Sequence, residues 1–421
     1  MITEFDEYAI HQSPAPVSDP CTDNENAYER FWFAGFAKQG DYYFGAGLGV
    51  YPNRDVMDAH FSIASGGKQH CFHGSRRAPE RRSDSTVGPM AVEVVVPLRV
   101  IRITIAPNDT GIECDVTFTA SSVPLEEPRS SMKVASKVIM DTSRFSQYGS
   151  WRGWIVADGK KHIIGDECLG LRDRSWGVRP IGERASRGIK WLSDTPLLDG
   201  VRAQAGKRLS SALFKPQGQR GGLVQNWRDM VGLSGLMIGA EPGVYWVWNL
   251  NMFDDVMTHF GTFETQSGEP FQLSGALVPR YDNVDDIPAD ASTGVTHFSD
   301  VSHQVQWRQG TRRAQRADIT LRGEHGEQHE IVVSDPMIIF HMSALGYEHP
   351  DWAHGCWKGE EVIAGESWVT ADLDPLQRNT VHTHQICKVK MGDREGVGLF
   401  ESVVLGAHQP SGFTRYLDGA A

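Results

Sequence analysis

The sequence has no excess of basic residues, since 53 acidic side chains stand against 41 basic ones and the formal net charge is −12. Nucleic-acid-binding proteins normally carry a basic balance or a basic patch, so this composition argues against that class. No apolar run approaches the ~18–20 residues that cross a bilayer, and the acidic first residues lack the basic start and apolar core of a secretory signal. We therefore predict no nucleic-acid partner and no transmembrane segment.

Cysteines are few and scattered: the chain has six, with no CxxC pair. This spacing fits free thiols in a reducing compartment better than a disulfide framework. Together with the absence of a recognisable secretory signal, it predicts a cytoplasmic protein. Oligomeric state is not indicated by any feature of the sequence.

Periodic helical stretches are nearly absent as well. Two long regions consist instead of short β-branched and aromatic runs that alternate in polarity and are separated by turn signals. Because the helical crossovers of a parallel sheet are missing, we predict an all-β fold with two tandem antiparallel β-barrels or sandwiches. A barrel of about eight strands encloses room for one apolar ligand, so this architecture predicts a hydrophobic small molecule as the partner.

The strand patterns divide the chain into four parts. Residues 1–29 are polar and turn-rich and are predicted to form an N-terminal arm, followed by a first β domain over 30–185. Residues 186–242 contain many glycines and arginines and are predicted to form a connection or an inserted loop. A second β domain is predicted over 243–421.

Common catalytic and cofactor-binding motifs are missing. The glycine-rich segment over 45–49 leads into a turn instead of a helix that could hold a phosphate. His325 and His329 lie at a glycine-containing turn, where residues four apart do not share a face. No GxSxG nucleophile motif occurs. We accordingly predict no nucleotide-binding loop, no zinc site at these histidines and no serine hydrolase chemistry.

An unusual string, GLRDRSWGVRP over 170–180, ends the first strand set. On an extended strand Asp173 shares its face with Leu171, whereas Trp176 lies on the other face. If the face of Asp173 lines a cavity, burial raises the pKa of this carboxyl group and keeps it protonated as a general acid. Alternatively, Asp173 joins the two domains through a salt bridge with a nearby arginine, Arg172, Arg174 or Arg179.

Two further pairs of residues share a strand face. Trp246 and Trp248 form part of an aromatic stripe, which is usually core but also suits a polyene or a developing carbocation. His382 and His384 alternate in the same way on a later strand, as two metal ligands or the wall of a polar pocket would. Because the spacing identifies no third ligand, we predict satisfied histidines and no metal site.

The string from Asp173 to Gly177 at the end of the first half, followed by the Trp246-x-Trp248 strand that opens the second half, resembles a known superfamily. Its members are the AttH-like and carotenoid 1,2-hydratase (hydroxyneurosporene synthase)-like proteins, which consist of two lipocalin-like domains. The resemblance implies tandem lipocalin-like barrels and chemistry without an organic cofactor, namely alkene hydration or polyene cyclisation. It also implies that Asp173 is the proton donor.

The sequence differs from these hydratases close to the predicted acid. Leu171 stands where they carry an aromatic residue two positions before the aspartate, and Ser146 and Tyr148 replace their histidine and tryptophan. These differences argue against the hydration of a carotenoid more than they argue against acid chemistry in an apolar cavity.

Our leading hypothesis is a cofactor-independent, acid-catalysed hydration, isomerisation or cyclisation of a hydrophobic isoprenoid-like or polycyclic alkene. In it Asp173 is the acid, and His382 or His384 orients that acid or removes a proton. The predicted substrate-binding residues are Tyr148, Leu171, Trp176, Trp246 and Trp248. The alternatives are a lipophilic ligand carrier without chemistry and a metal-dependent activity that uses His382 and His384.

Overall fold

The structure is a computed structural model that describes residues 9–134, 137–179, 181, 237–238, 241–242 and 244–421. The predicted connection over 186–242, and the domain boundaries at its two ends, lie almost wholly outside the described residues. No helix in the described part of the chain is long and apolar enough to cross a membrane.

The described part of the first half of the chain consists almost entirely of β-strands, as its β-branched and aromatic composition predicts. Its strands are β1 (Ala27–Ala37), β2 (Tyr42–Tyr51), β3 (Val56–Ser65), β4 (Lys68–Arg76), β5 (Thr86–Val87), β6 (Met90–Val96), β7 (Val100–Ile105), β8 (Glu113–Ala120), β9 (Leu125–Val134), β10 (Lys137–Ala157), β11 (Lys160–Ile164) and β12 (Cys168–Val178).

The second half follows the same pattern, with one short α-helix among its described residues. Its elements are β13 (Met237–Ile238), β14 (Glu241–Pro242), β15 (Val244–Met252), β16 (Val256–Glu264), β17 (Pro270–Pro279), β18 (Thr296–Phe298), β19 (Asp300–Trp307), β20 (Ala314–Arg322), β21 (Gln328–His341), β22 (Glu361–Val369), α1 (Arg378–Val381), β23 (Thr383–Met391) and β24 (Arg394–Leu405).

Two large antiparallel sheets contain nearly all of these strands. The first has the order β22-β4-β3-β2-β1-β12-β10-β8-β7-β6-β5, with β9 and β11 paired to β10. The second has the order β18-β17-β16-β15-β24-β23-β21-β20-β19. Each sheet forms a nearly closed barrel, which confirms the predicted all-β fold of two tandem antiparallel barrels.

Strand β22 connects the two halves of the chain. It belongs to the second half by sequence but pairs with β4 along its whole length, from Glu361 opposite Arg76 to Val369 opposite Lys68. The second half therefore contributes a strand to the first barrel, and the two barrels are tied together by backbone hydrogen bonds.

Strand β15 is buried on both faces because it lies between two hydrophobic cores. Trp246 and Trp248 belong to the core that also contains Trp32 of the first barrel. Tyr245 and Val247 belong to the core inside the second barrel. The alternation predicted for the tryptophans is confirmed, and it directs both of them toward the contact between the barrels.

The hydroxyl group of Tyr148 on β10 joins the barrels by donating a hydrogen bond to the backbone oxygen of Thr258 on β16, at 2.7 Å. We expect Tyr148→Phe to lower the free energy of unfolding by about 1 kcal/mol, because it removes one buried hydrogen bond and leaves the ring in place. Urea denaturation measures this change. An unchanged midpoint with an unchanged m-value would show that the bond does not stabilise the contact between the barrels.

Candidate functional site

A cavity of about 70 Å³ lies where the two barrels meet. Strands β1, β10 and β12 form one side, and β15, β23 and β24 form the other. The residues that line it include Tyr28, Trp32, Met140, Thr142, Arg144, Asp173, Arg179, Val244, Trp246, Trp248, Phe263, Met342, Tyr347, His382, His384, Glu401 and Val403.

Aromatic rings from both barrels form the apolar wall of this cavity. Trp32 and Trp248 meet edge to face, with ring centroids 5.6 Å apart. Trp246 packs against Phe263 with centroids 4.2 Å apart. Such rings present apolar surface and an electron-rich face to a ligand, so the wall suits an unsaturated hydrocarbon group or a cation.

Asp173 contributes a carboxyl group to the same cavity from β12, where it lies opposite Trp32 in the strand pairing. The residue is 8% exposed, and its Oδ1 atom has no hydrogen-bond partner among the described residues. Burial raises the pKa of Asp173 to about 6, in spite of the opposing charge of Arg144. A carboxyl group with a pKa in this range can carry a proton in mildly acidic solution.

The salt bridge that the sequence suggested for Asp173 is not formed. Its three expected partners are engaged elsewhere: Arg172 donates to Gln147, Arg174 pairs with Glu29, and the guanidinium group of Arg179 lies over the ring of Tyr28. Asp173 instead forms a long ion pair with Arg144 on β10, whose Nε lies 3.8 Å from Asp173 Oδ2. This distance is too long for a hydrogen bond.

Arg144 is shared between two carboxylates, which explains why it does not fully neutralise Asp173. Its Nη1 lies 3.6 Å from Glu127 Oε2, and the hydroxyl group of Ser146 donates a hydrogen bond to the same carboxylate. Arg144 and Glu127 were not predicted from the sequence. One signal was available: Arg144 shares a face of β10 with Ser146, a position that the resemblance had already singled out.

His382 and His384 lie together on the opposite wall, as their alternation predicts. Between them lies Glu401 of β24, which is directly opposite His384 in the sheet. His382 Nε2 donates to Glu401 Oε1 at 2.6 Å, and His384 Nε2 is 3.6 Å from the same oxygen. Glu401 was also missed, although it is the one charged residue in the apolar run over 396–405 and could have been found on that ground.

The electrostatics around Glu401 keep it ionised. Although burial opposes ionisation, the adjacent His384 and His382 hold the pKa of Glu401 below its usual value. Burial lowers the pKa of His382, against the effect of Glu401. On the other side of His384, a 2.7 Å hydrogen bond joins Nδ1 to the hydroxyl group of Tyr43.

Three of the predicted substrate-binding residues do not line this cavity. Tyr148 is buried and bonded to Thr258, and Leu171 is buried in the hydrophobic core. Trp176 is 40% exposed and lines a separate, wider groove of about 1260 Å³ beside the N-terminal arm. The cavity between the barrels does bring together the other predicted site residues, which are Trp246, Trp248, Asp173, His382 and His384.

The sequence matches a family described as a family of unknown function, DUF8625, over residues 2–196 and 233–414. No curated protein matches the chain.

Among solved structures, the chain is similar to a candidate AttH from Nitrosomonas europaea, with 13% identity, a TM-score of 0.46 and coverage of 90% of this chain and 93% of that one. It is similar to kievitone hydratase from Nectria haematococca, with 10% identity, a TM-score of 0.45 and coverage of 89% and 88%. It is also similar to CghA with Sch210972, with 10% identity, a TM-score of 0.45 and coverage of 90% of this chain and 88% of that one. An AttH is thus among the similar structures, as the sequence motifs indicated.

Proposed function

Since the chain belongs to the DUF8625 family, whose function is unknown, we propose a function from the chemistry of the cavity. The protein is an enzyme that transforms a hydrophobic isoprenoid-like or polycyclic alkene by acid catalysis, without an organic cofactor. The reaction is a hydration, an isomerisation or a cyclisation, and Asp173 is the acid.

One observation supports this proposal above the others. A buried carboxyl group, with a pKa raised to about 6 and one oxygen without a partner among the described residues, faces an aromatic cavity. A carboxyl group held by a full salt bridge would remain ionised, whereas this one can carry a proton near neutral pH.

In the proposed step, the O–H bond of Asp173 breaks as a C–H bond forms at one alkene carbon, which leaves a carboxylate and a carbocation. The faces of Trp246 and Trp248 stabilise the positive charge. Addition of water and loss of its proton gives an alcohol, and loss of a neighbouring proton gives an isomer. Attack by a second double bond closes a ring and moves the positive charge to a new carbon, which then loses a proton to give a cyclic alkene. In each outcome one proton returns to Asp173 or to solvent.

The size of the cavity limits which part of a ligand can react. Pockets for whole ligands usually hold about 300–1000 Å³, whereas this cavity holds about 70 Å³. Only the reacting double bond and its substituents would therefore lie beside Asp173. The remainder would extend toward the wider groove, which shares Tyr28 with the cavity and includes Trp176.

The test is incubation of the purified protein with isoprenoid, polyene and steroid compounds, followed by mass spectrometry of the free and retained small molecules. We expect a product that is shifted by the mass of water, or an isomer with a new absorption spectrum. A compound that is retained and recovered unchanged would contradict the proposal and identify a lipophilic carrier instead.

A further inference from the structure

We propose that His382, His384 and Glu401 form a binding site for a divalent first-row transition-metal ion. Two imidazoles and one carboxylate are a common ligand set for such ions, and they leave coordination positions free for water or for an oxygen atom of a ligand. Here the free positions would face the cavity. The proposal goes beyond the acid chemistry of Asp173 and does not depend on it.

The spacing of the three groups fits one ion. Each offers a ligand atom, and these atoms all lie within 4.8 Å of one another. Metal–ligand bonds of about 2.0–2.2 Å place neighbouring ligand atoms roughly 3–3.5 Å apart. The distances of 2.6 Å and 3.6 Å from Glu401 Oε1 to the two Nε2 atoms bracket that range, so small side-chain movements suffice.

Two imidazole nitrogens in this group have no hydrogen-bond partner among the described residues. They are His384 Nε2 and His382 Nδ1, and both side chains are about 1% exposed. A buried polar atom without a partner is costly and calls for an explanation such as an ion or a water molecule. The lone pair of His384 Nε2 would be satisfied by a metal ion beside Glu401.

Tyr43 supports this use of His384. Its hydroxyl group is hydrogen-bonded to Nδ1, and with Nδ1 as the donor, the free electron pair of the ring lies on Nε2. Metal-binding histidines usually donate their other N–H group in this way, which fixes the tautomer and the ring orientation. Tyr43 comes from the first barrel, so both barrels contribute to the site.

A second group of similar composition provides a contrast. Cys71, His73 and Glu366 also lie within 4.8 Å of one another. However, Glu366 Oε1 is already bonded by both His73 and His349, and His73 Nδ1 is bonded to His60. Because the ring nitrogens of His73 are both engaged, we assign this group a structural role and use it as the control.

The charges near the proposed site permit a cation. Arg179 lies close enough to His382 to disfavour a positive charge there. Glu401 opposes it directly, and Arg144 is paired with Glu127 at 3.6 Å. A divalent ion would therefore meet a carboxylate in its ligand set and no uncompensated guanidinium group other than Arg179 among the described cavity residues.

The experiment uses the full chain, stripped with a chelator, reloaded with Zn²⁺ or Co²⁺ and dialysed. We expect about one ion per chain by elemental analysis and visible Co²⁺ absorption bands. Glu401→Gln should lose both signals, whereas Glu366→Gln should keep both. Tyr43→Phe, which leaves all three ligands in place, should weaken the affinity by about 10-fold.

Circular dichroism of each variant establishes that it is folded, and Tyr43→Phe carries the test if Glu401→Gln does not fold. Wild-type protein that retains no Zn²⁺ and shows no Co²⁺ bands would overturn the proposal. Loss of the ion in Glu366→Gln, with a near-ultraviolet thiolate band in the Co²⁺ form, would place the metal at Cys71 instead. Asp173→Asn should bind metal normally, so failure of the acid mechanism and failure of the metal site are distinguishable.

Discussion

Asp173→Asn is expected to lower turnover of the product-forming substrate by about 10²- to 10⁴-fold, the usual contribution of a positioned general acid. The amide has nearly the same shape as the carboxyl group but cannot supply the proton. Ligand affinity should therefore change little, as measured by quenching of tryptophan fluorescence, since three tryptophans line the cavity. Steady-state kinetics with the substrate identified by mass spectrometry gives the rate.

The matched control is Asp166→Asn, which changes an exposed aspartate paired with Arg152 on the outer surface. It should leave turnover and affinity unchanged. Turnover that persists at the wild-type rate in Asp173→Asn would exclude Asp173 as the acid. Loss of affinity together with turnover would indicate that the residue maintains the shape of the cavity.

The pH dependence gives an independent readout of the same group. Burial raises the pKa of Asp173 to about 6, and the acid acts in its protonated form. The value of kcat/KM should thus be highest below pH 6 and should fall about tenfold per pH unit above it, since it reports the free enzyme. A rate that rises through this range would identify Asp173 as a base.

Arg312→Met is expected to lower the free energy of unfolding by about 3–5 kcal/mol. The substitution deletes a buried cation and leaves behind the acceptors that its hydrogen bonds satisfy. The guanidinium group is fully buried and pairs with the carboxylate of Asp418. It also donates hydrogen bonds to the backbone oxygens of Val404, Gly406, Arg415 and Asp418. The variant would remove these donors from the four carbonyl groups and the cation from the Asp418 carboxylate, and urea denaturation measures the loss.

Arg316→Met is the control for this prediction. Arg316 pairs with Asp318 on the surface, where both side chains are about 40% exposed. Solvent screens such a pair, so its removal should leave the free energy of unfolding nearly unchanged. If the two variants are equally stable, the Arg312 network does not hold the C-terminal segment against the second barrel.

The all-β class and the faces of individual strands could be predicted from the amino-acid sequence alone. Successive side chains point to opposite sides of a strand. Alternation alone therefore predicted that Trp246 and Trp248 share one face, and that His382 and His384 share another. It also separated Asp173 from Trp176, which the structure places in the cavity and in the outer groove, respectively. These predictions needed no knowledge of which strands are neighbours.

Which side chains meet at the cavity depends on the pairing of the strands and the packing of the two barrels. Arg144 reaches Asp173 because β10 pairs with β12, and Glu401 reaches the histidines because β24 pairs with β23. Tyr43 contacts His384 across the two barrels, 341 positions apart in the chain. Alternation fixes the direction of a side chain within its own strand. Strand pairing and barrel packing arise instead from contacts between residues that are distant in sequence. The local pattern could therefore not assign these partners.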